Sequence, residues 1–527
     1  MKLINAMVTV GGLTGLSRIF GFARDVLIAA AMGAGPVADA FFVALKLPNF
    51  FRRVTAEGAF SVSFVPLYAG MLGQQGEQVA NDFASRAMAL MLCWLTVFTL
   101  AMIMVMPWII YLIAPGFEAG TERYDLAVEM SRISFPYLLL ISLTALLGAV
   151  MNAHERFAPF AAAPILFNLG MLCFLLAKDF FPTPGHALSW GITAAGVMQL
   201  VLLFICMKRA KIRLRIVKPH IDDDMRKLLR LMGPGILGAG VVHINLFADM
   251  IIASFLAAGS ISYLYYGDRL NQLPLGIVGV AVGTALLPML SRAVAAGHEV
   301  EAKHLFNRAL EVCLVLALPA GIALVTAAEP IISVLFERGE FTAADTKPTS
   351  YVLMGYALGL PAYVAVKVLS GAFWARQDTM SPVRVGIKAA VVNILLAIVL
   401  SRFIGVAGIA LATGIAGWVQ FTLLFRGLRG QTAVQIDDRL RWVFPRILLA
   451  AAIMAAYVIG VQFVLADWFD SDSGLKRLLA LAALVGGGGL IYGAGVTLSG
   501  ALTLADLKKY FKRKELAQDV ASVTNEQ

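Results

Sequence analysis

Apolar residues run through this chain in blocks of roughly twenty, separated by short polar stretches, along most of its length. A helical block of that length spans the hydrocarbon core of a bilayer. The apolar–polar alternation of barrel strands is missing. Backbone in lipid must satisfy its own hydrogen bonds, which leaves helices. The pattern predicts about fourteen spans, near residues 5–32, 37–69, 84–110, 129–151, 159–181, 186–207, 228–257, 262–292, 306–327, 348–372, 382–402, 404–426, 444–466 and 476–499. The second and eighth are long enough to bend or to project beyond the membrane. The expected fold class is an all-α polytopic membrane protein.

Charge adds direction to this picture. The chain has 527 residues, of which 59% are hydrophobic and only 14% charged, with a formal net charge of +10. The cations gather at span ends: Lys208 to Arg230, Arg426 to Arg446, and Lys508 to Lys514. An even count of spans puts all three on one side, and the positive-inside rule makes that side, and both termini, cytoplasmic. The opposite side is acidic at Glu118 to Glu129 and at Asp467, Asp470 and Asp472. The excess of cations therefore reads as topology, and no nucleic-acid partner is expected. Cys93, Cys173, Cys206 and Cys313 stand singly in apolar runs and suggest neither a disulfide framework nor a metal site. The apolar N-terminal stretch runs straight into Arg18, as a first membrane helix does and a cleaved signal peptide does not.

Three landmarks recur. Asp25-Val-Leu-Ile-Ala returns as Asp249-Met-Ile-Ile-Ala, Pro107-Trp-Ile-Ile as Pro330-Ile-Ile-Ser, and Gly148-Ala149 as Gly371-Ala372, at offsets of 224, 223 and 223 residues. Such a period holds six spans. Two parallel six-helix repeats are therefore expected, forming two lobes around a central cavity, plus two extra C-terminal helices. The corresponding boundaries are 1–225 for the N-terminal lobe, 226–430 for the C-terminal lobe, 431–505 for the extra pair and 506–527 for a basic cytoplasmic tail.

The ionisable residues at membrane depth supply the candidate chemistry, because such groups normally face a wet cavity or a partner. The first two spans carry Arg18, Arg24, Asp25, Asp39, Lys46, Asn49, Arg52, Arg53 and Glu57, and the eighth carries Asp268 and Arg269. On a helical wheel Arg18, Arg24 and Asp25 share an arc of about 120°. Asp39, Lys46, Arg53 and Glu57 lie within about 40° of one another, with Asn49 beside them. The expectation is a net-cationic cavity in which Arg18, Arg24, Arg52 and Arg269 are partly offset by Asp25, Asp39, Glu57 and Asp268. Arginine forks suit phosphate or pyrophosphate, so the substrate is expected to be anionic. Asp249, with Asn393, is a candidate for cation coupling. The same acid–base pairs also read as structural locks between helices. No nucleophile–base pair, metal motif or Walker pattern appears, so neither an enzyme nor a bound cofactor is expected. A drug or cation exporter would favour acidic and aromatic cavity residues. An exporter of an anionic, lipid-linked headgroup would favour arginines.

The strings SRIFGFARD (17–25), DAFFVALKLPNFFRRVTAEGAFSVSFVP (39–66) and YYGDRL (265–270) closely resemble the MurJ (MviN) lipid II flippase family of bacteria. APGF (114–117), FPYLLLISL (135–143) and GAFWARQDTMSPV (371–383) extend the likeness from about residue 5 to beyond 425. The resemblance implies a place in the multidrug/oligosaccharidyl-lipid/polysaccharide exporter superfamily. It implies movement of undecaprenyl-pyrophosphate-disaccharide-pentapeptide, the peptidoglycan precursor, to the outer leaflet of the bacterial inner membrane. It gives cavity roles to Arg18, Arg24, Arg52 and Arg269, and functional or gating roles to Asp39, Lys46, Asn49 and Glu57. It also implies a groove for the lipid tail at 444–499, and sodium or the membrane potential as the energy source. Lipid II, membrane lipids and cell-wall synthesis proteins are the implied partners. The alternative is an ion-coupled exporter of another lipid-linked oligosaccharide, or of drugs, on the same fold.

Overall fold

A computed structural model describes the backbone of residues 2–53, 60–242, 244–281, 287–428 and 435–501, and the side chains of 9–53, 60–233, 247–276, 289–428 and 435–501. Glu57 and the tail 506–527 therefore lie outside the described residues. Helices occupy each of the fourteen predicted stretches. Ten helical segments among the described residues are long and apolar enough to cross a membrane. Large apolar side chains cover their outsides: Trp94 is 65% exposed, Leu176 80% and Phe463 80%. That surface suits lipid rather than water, and the protein is a multi-pass membrane protein.

The chain forms two compact units, one of residues 1–262 with 338–342, the other of 263–337 with 343–527. The first holds α1 (Lys2–Met32), α2 (Pro36–Phe51), α3 (Ser61–Gln74), α4 (Glu77–Met104), α5 (Met106–Ile113), α6 (Glu122–Ser134), α7 (Tyr137–Ala153), α8 (Ala158–Leu176), α9 (Pro184–Arg209), α10 (Asp223–Val242) and α11 (Ile244–Ser254). The unit boundary falls in the first turn of α12 (Ser260–Ala281). The second unit continues with α13 (Leu287–Ala295), α14 (Glu299–Thr326), α15 (Ala328–Phe336), α16 (Ala343–Ala375), α17 (Met380–Ile404), α18 (Val406–Gly427), α19 (Asp438–Val464), α20 (Ala466–Phe469) and α21 (Gly474–Leu498).

Some predicted spans are broken helices. The stretch near 84–110 breaks at Val105, where Pro107 starts a new helix in which its missing N–H does no harm. The stretch near 129–151 breaks at Phe135–Pro136. α14 ends at Ala327 and resumes as α15, as α4 and α5 do around Val105. α7 and α16 end in one and the same cap. The N–H of Arg156 donates to Met151 O at 3.0 Å and that of Glu155 to Asn152 O at 3.0 Å. The N–H of Asp378 donates to Phe373 O at 3.1 Å and that of Gln377 to Trp374 O at 2.9 Å. Glu155 (φ 59°) and Gln377 (φ 63°) take the left-handed position of this Schellman cap, 222 residues apart.

In the first unit Phe64 stacks between Tyr68 (5.6 Å) and Phe83 (5.5 Å) within a core drawn from α3, α4, α7 and α9. Tyr68 donates from this core to Asn81 Oδ1 at 2.8 Å, and His154 Nε2 lies 3.0 Å away. Two segments from later in the chain close onto other parts of the first unit. Glu340 N–H donates to Ala30 O at 2.9 Å. Gly116 lies so close to Ser254 that a Cβ there would sit 2.3 Å from the Ser254 carbonyl oxygen. In the second unit, Leu305, Phe306, Leu360 and Leu369 anchor the core of α14 and α16. α19 and α21 pack there through Val443, Ile447, Ala450 and Val496.

Candidate functional site

The polar face of α1 meets α8. Gly21 leaves room beside Asn168, whose Nδ2 donates to Ser17 O at 2.9 Å. Asn168 Oδ1 in turn accepts from Arg24 Nη1 at 2.9 Å. The other edge of the guanidinium closes on its neighbour: Nε and Nη2 donate to Asp25 Oδ1 at 3.0 and 2.7 Å. Phe167 lies 5.7 Å from Arg24 Cζ. Arg24 is 6% exposed and Asp25 3%, whereas Arg18, two turns earlier, is exposed. The shared arc predicted for α1 thus divides into an outlying cation and a buried ion pair. The Arg24 fork is built for an oxyanion, and Asp25 now fills it.

A second node forms around Asp39 in the first turn of α2. Its carboxylate is fully buried and receives four donors. Oδ2 accepts from Arg123 Nη2 at 2.6 Å and from Gly259 N–H at 2.8 Å. Oδ1 accepts from Ser262 N–H at 2.8 Å and Ser262 Oγ–H at 2.7 Å. Helix starts carry unsatisfied amides and a partial positive charge, so this carboxylate caps α12 from across the fold of the first unit. Arg123 is held by the face of Phe117, 4.1 Å from the ring centroid. The sequence reading set Asp39 against Arg18, Arg24, Arg52 and Arg269, and here it pairs with Arg123 instead. The wheel fixed the face of α2 but not the partner. Arg123 is the lone cation in the acidic stretch Glu118–Glu129, and that isolation was the available signal.

Farther along α2, Lys46 is half-buried and Asn49 Nδ2 donates to Leu45 O at 2.9 Å. Asn49 Oδ1 accepts from Arg52 Nε at 3.3 Å. After Pro48 the helix widens into a π-type turn at Arg52 and Arg53, which leaves Arg53 exposed. Phe50 packs edge-on against Phe247 of α11 at 4.7 Å. On α12, Arg269 lies over Tyr265 at 4.5 Å and Asp268 accepts a hydrogen bond from Gln272. Asp249 is half-buried on α11 in the first unit, and Asn393 is 1% exposed on α17 in the second. Among the described residues, no group of three or more His, Cys, Asp or Glu side chains is arranged to hold a metal.

Residues 28–478 match the family model described as "Lipid II flippase MurJ". A "Probable lipid II flippase MurJ" of Rhizobium meliloti (strain 1021) is 40% identical over 99% of this chain and 98% of its own length. A "Lipid II flippase MurJ" of Burkholderia cenocepacia is 34% identical over 92% of this chain and 95% of its own. A solved structure titled "Lipid II flippase MurJ, inward closed conformation" superposes with a TM-score of 0.75 at 27% identity, covering 93% of this chain and 98% of that one. An inward-facing MATE transporter shares the fold, with a TM-score of 0.68 at 14% identity over 81% of this chain and 98% of its own. The family match over residues 28–478, which spans both halves of the chain, shows that the chain belongs to the MurJ family of lipid II flippases.

Proposed function

We propose that this chain flips lipid II, undecaprenyl-pyrophosphate-disaccharide-pentapeptide, from the cytoplasmic to the periplasmic leaflet for cell-wall synthesis. The likeness to MurJ relatives over nearly the whole chain carries this reading. The chain acts as a transporter by alternating access and makes or breaks no covalent bond. It sits in the inner membrane with both termini cytoplasmic, as the cationic loops support. The lobes are residues 1–225 and 226–430, and 431–505 serves the lipid tail.

Arg18, Arg24, Arg52, Arg269, Lys46 and Asn49 bind the headgroup. Arg24 supports this assignment, because its buried fork is held by Asn168 on one edge and by Asp25 on the other. A pyrophosphate competes with Asp25 for that fork and makes charge-assisted hydrogen bonds in its place, each contributing about 1.5–3 kcal/mol. The Asp39–Arg123–Ser262 node acts as a latch, and Glu57 and Asp268 serve gating. Sodium bound near Asp249 or Asn393, or the membrane potential, supplies the energy. Cell-wall synthesis proteins are the onward partners.

The test is complementation. The host's essential flippase is depleted, this chain is supplied, and lipid II on the outer leaflet is read by external cleavage of its headgroup. Wild type restores exposure. Arg24→Ala abolishes it at equal abundance, and Arg24→Lys restores little, because an ammonium lacks the fork. Absence of restoration by a correctly inserted wild type would shift the reading to another lipid-linked glycan or a drug.

A further inference from the structure

The segment that leaves α9 carries the densest run of cations in the described structure. Lys208, Arg209, Lys211, Arg213, Arg215 and Lys218 fall within eleven residues and all are exposed. Among the described residues none of the six lies in an ion pair. The nearest acids in sequence are engaged elsewhere. Asp222 and Asp224 pair with Arg86 at 2.6 and 3.6 Å, and Asp223 pairs with Arg226 at 3.3 Å.

The strap is held in one orientation. α9 ends in a Schellman cap, with Ile212 N–H donating to Met207 O at 3.1 Å and Lys211 at φ 62°. The chain then runs extended. Ile212 (5% exposed) and Leu214 pack into the core of the first unit, and Arg215 N–H donates to Ser85 Oγ at 3.0 Å. Alternation turns Arg213 and Arg215 outward. Ile216 follows them outward at 83% exposure, with no apolar neighbour in the core. At 26 residues α9 is about 39 Å long, enough to cross the hydrocarbon core and set the strap at a bilayer surface.

We propose that the 208–218 strap is a docking site for anionic phospholipid headgroups, with Ile216 inserted as an apolar wedge at the headgroup–acyl boundary. Charge complementarity selects the occupant. Six unneutralised cations beside a membrane attract phosphatidylglycerol-type lipids, and an isolated exposed isoleucine among them gains by insertion. Topology alone explains the sign of the loop. It does not explain a strap with its cations turned out, its acids engaged by other arginines, and an apolar residue at its crest.

The test uses the full-length chain with its four cysteines replaced by serine and Ile216→Cys carrying an environment-sensitive fluorophore. It is reconstituted in phosphatidylcholine bilayers with rising phosphatidylglycerol. The label is expected to blue-shift as phosphatidylglycerol rises and to revert at high salt. In Arg213→Gln/Arg215→Gln/Lys218→Gln the attraction to the anionic surface falls about a hundredfold, since each of the three cations near the surface is worth about fivefold, and the shift is lost across the phosphatidylglycerol range. The corresponding double Arg→Lys variant keeps the shift. Equal emission in phosphatidylcholine and phosphatidylglycerol, or a shift that survives the triple variant, would overturn the proposal. Unchanged helix content and sidedness of the triple variant show that a lost shift is not misfolding or inversion. No step reads transport, so the result is independent of the flippase assignment.

Discussion

Asp39 shows how much one side chain can organise. Four donors converge on a carboxylate that water does not reach, and two of them are the orphan amides of a helix start. Asp39→Ala leaves Arg123 and the start of α12 without their acceptor, and removing one member of a buried pair destabilises by about 3–5 kcal/mol. Asp39→Asn keeps the shape but turns an NH₂ toward one set of donors, so it also destabilises. Thermal unfolding in detergent should show a large drop for Asp39→Ala. The double variant Asp39→Ala/Arg123→Leu should lose less than the two single losses added together, because the orphaned guanidinium is gone. Strict additivity would mean that the pair carries no coupling. The sequence made Asp39 conspicuous as a carboxylate in an apolar run. Arg123 stood out only as a lone cation among acids; its pairing with Asp39, and the roles of Asn168 and Ser262, were not legible, because pairing across 84 to 223 residues is decided by packing and not by helical phase.

Among the elements, α19 is docked at both ends by polar contacts. Asp437 caps it, accepting from Leu440 N–H at 2.7 Å, and its other oxygen accepts from Arg308 Nη2 at 2.6 Å. The fully buried Glu311 of α14 pairs with Arg308 and, at 3.2 Å, with Arg439. Asn307 brackets the same segment, donating to Gln435 O at 2.8 Å and accepting from Asp437 N–H at 3.0 Å. At the far end Gln462 donates to Thr326 O at 3.0 Å, and Arg477 of α21 pairs with Glu337 at 3.3 Å. Glu311→Ala leaves two arginines facing an emptied site, and about 3–5 kcal/mol is the expected loss. Hydrogen exchange should rise first in residues 438–443, while α21 stays protected through Tyr492, which donates to Val315 O at 2.7 Å. Uniform loss of protection along α19 and α21 would show that the apolar middle, not the clamp, holds the pair. The runs of about twenty apolar residues made the helices legible. The breaks at Val105 and Phe135–Pro136 were not, because an interrupted hydrogen-bond ladder leaves the hydropathy of a run unchanged.

For the whole molecule, the orientation in the membrane follows from charge and parity together. The cationic segments at 208–230 and 426–446 share a side only if an even number of crossings separates them, and the acidic segments at 118–129 and 467–472 must then lie opposite. The helices allow this arrangement: α6 and α7 together form one membrane-length run from Glu122 to Ala153, and α8 and α9 add two more, so three crossings separate Glu122 from Arg209. Four single-cysteine variants in a serine background make the argument testable. Ala119→Cys and Ser471→Cys should react with a membrane-impermeant thiol reagent added outside intact cells. His220→Cys and Asp438→Cys should react only after permeabilisation. A reversal of one loop alone would mean that a helix counted as a crossing lies within one face. Reversal of all four would mean that the cations of the 208–230 and 426–446 segments do not set the orientation. The expected labelling also places the 208–218 strap on the side where anionic lipid and cation meet, so the two experiments constrain each other.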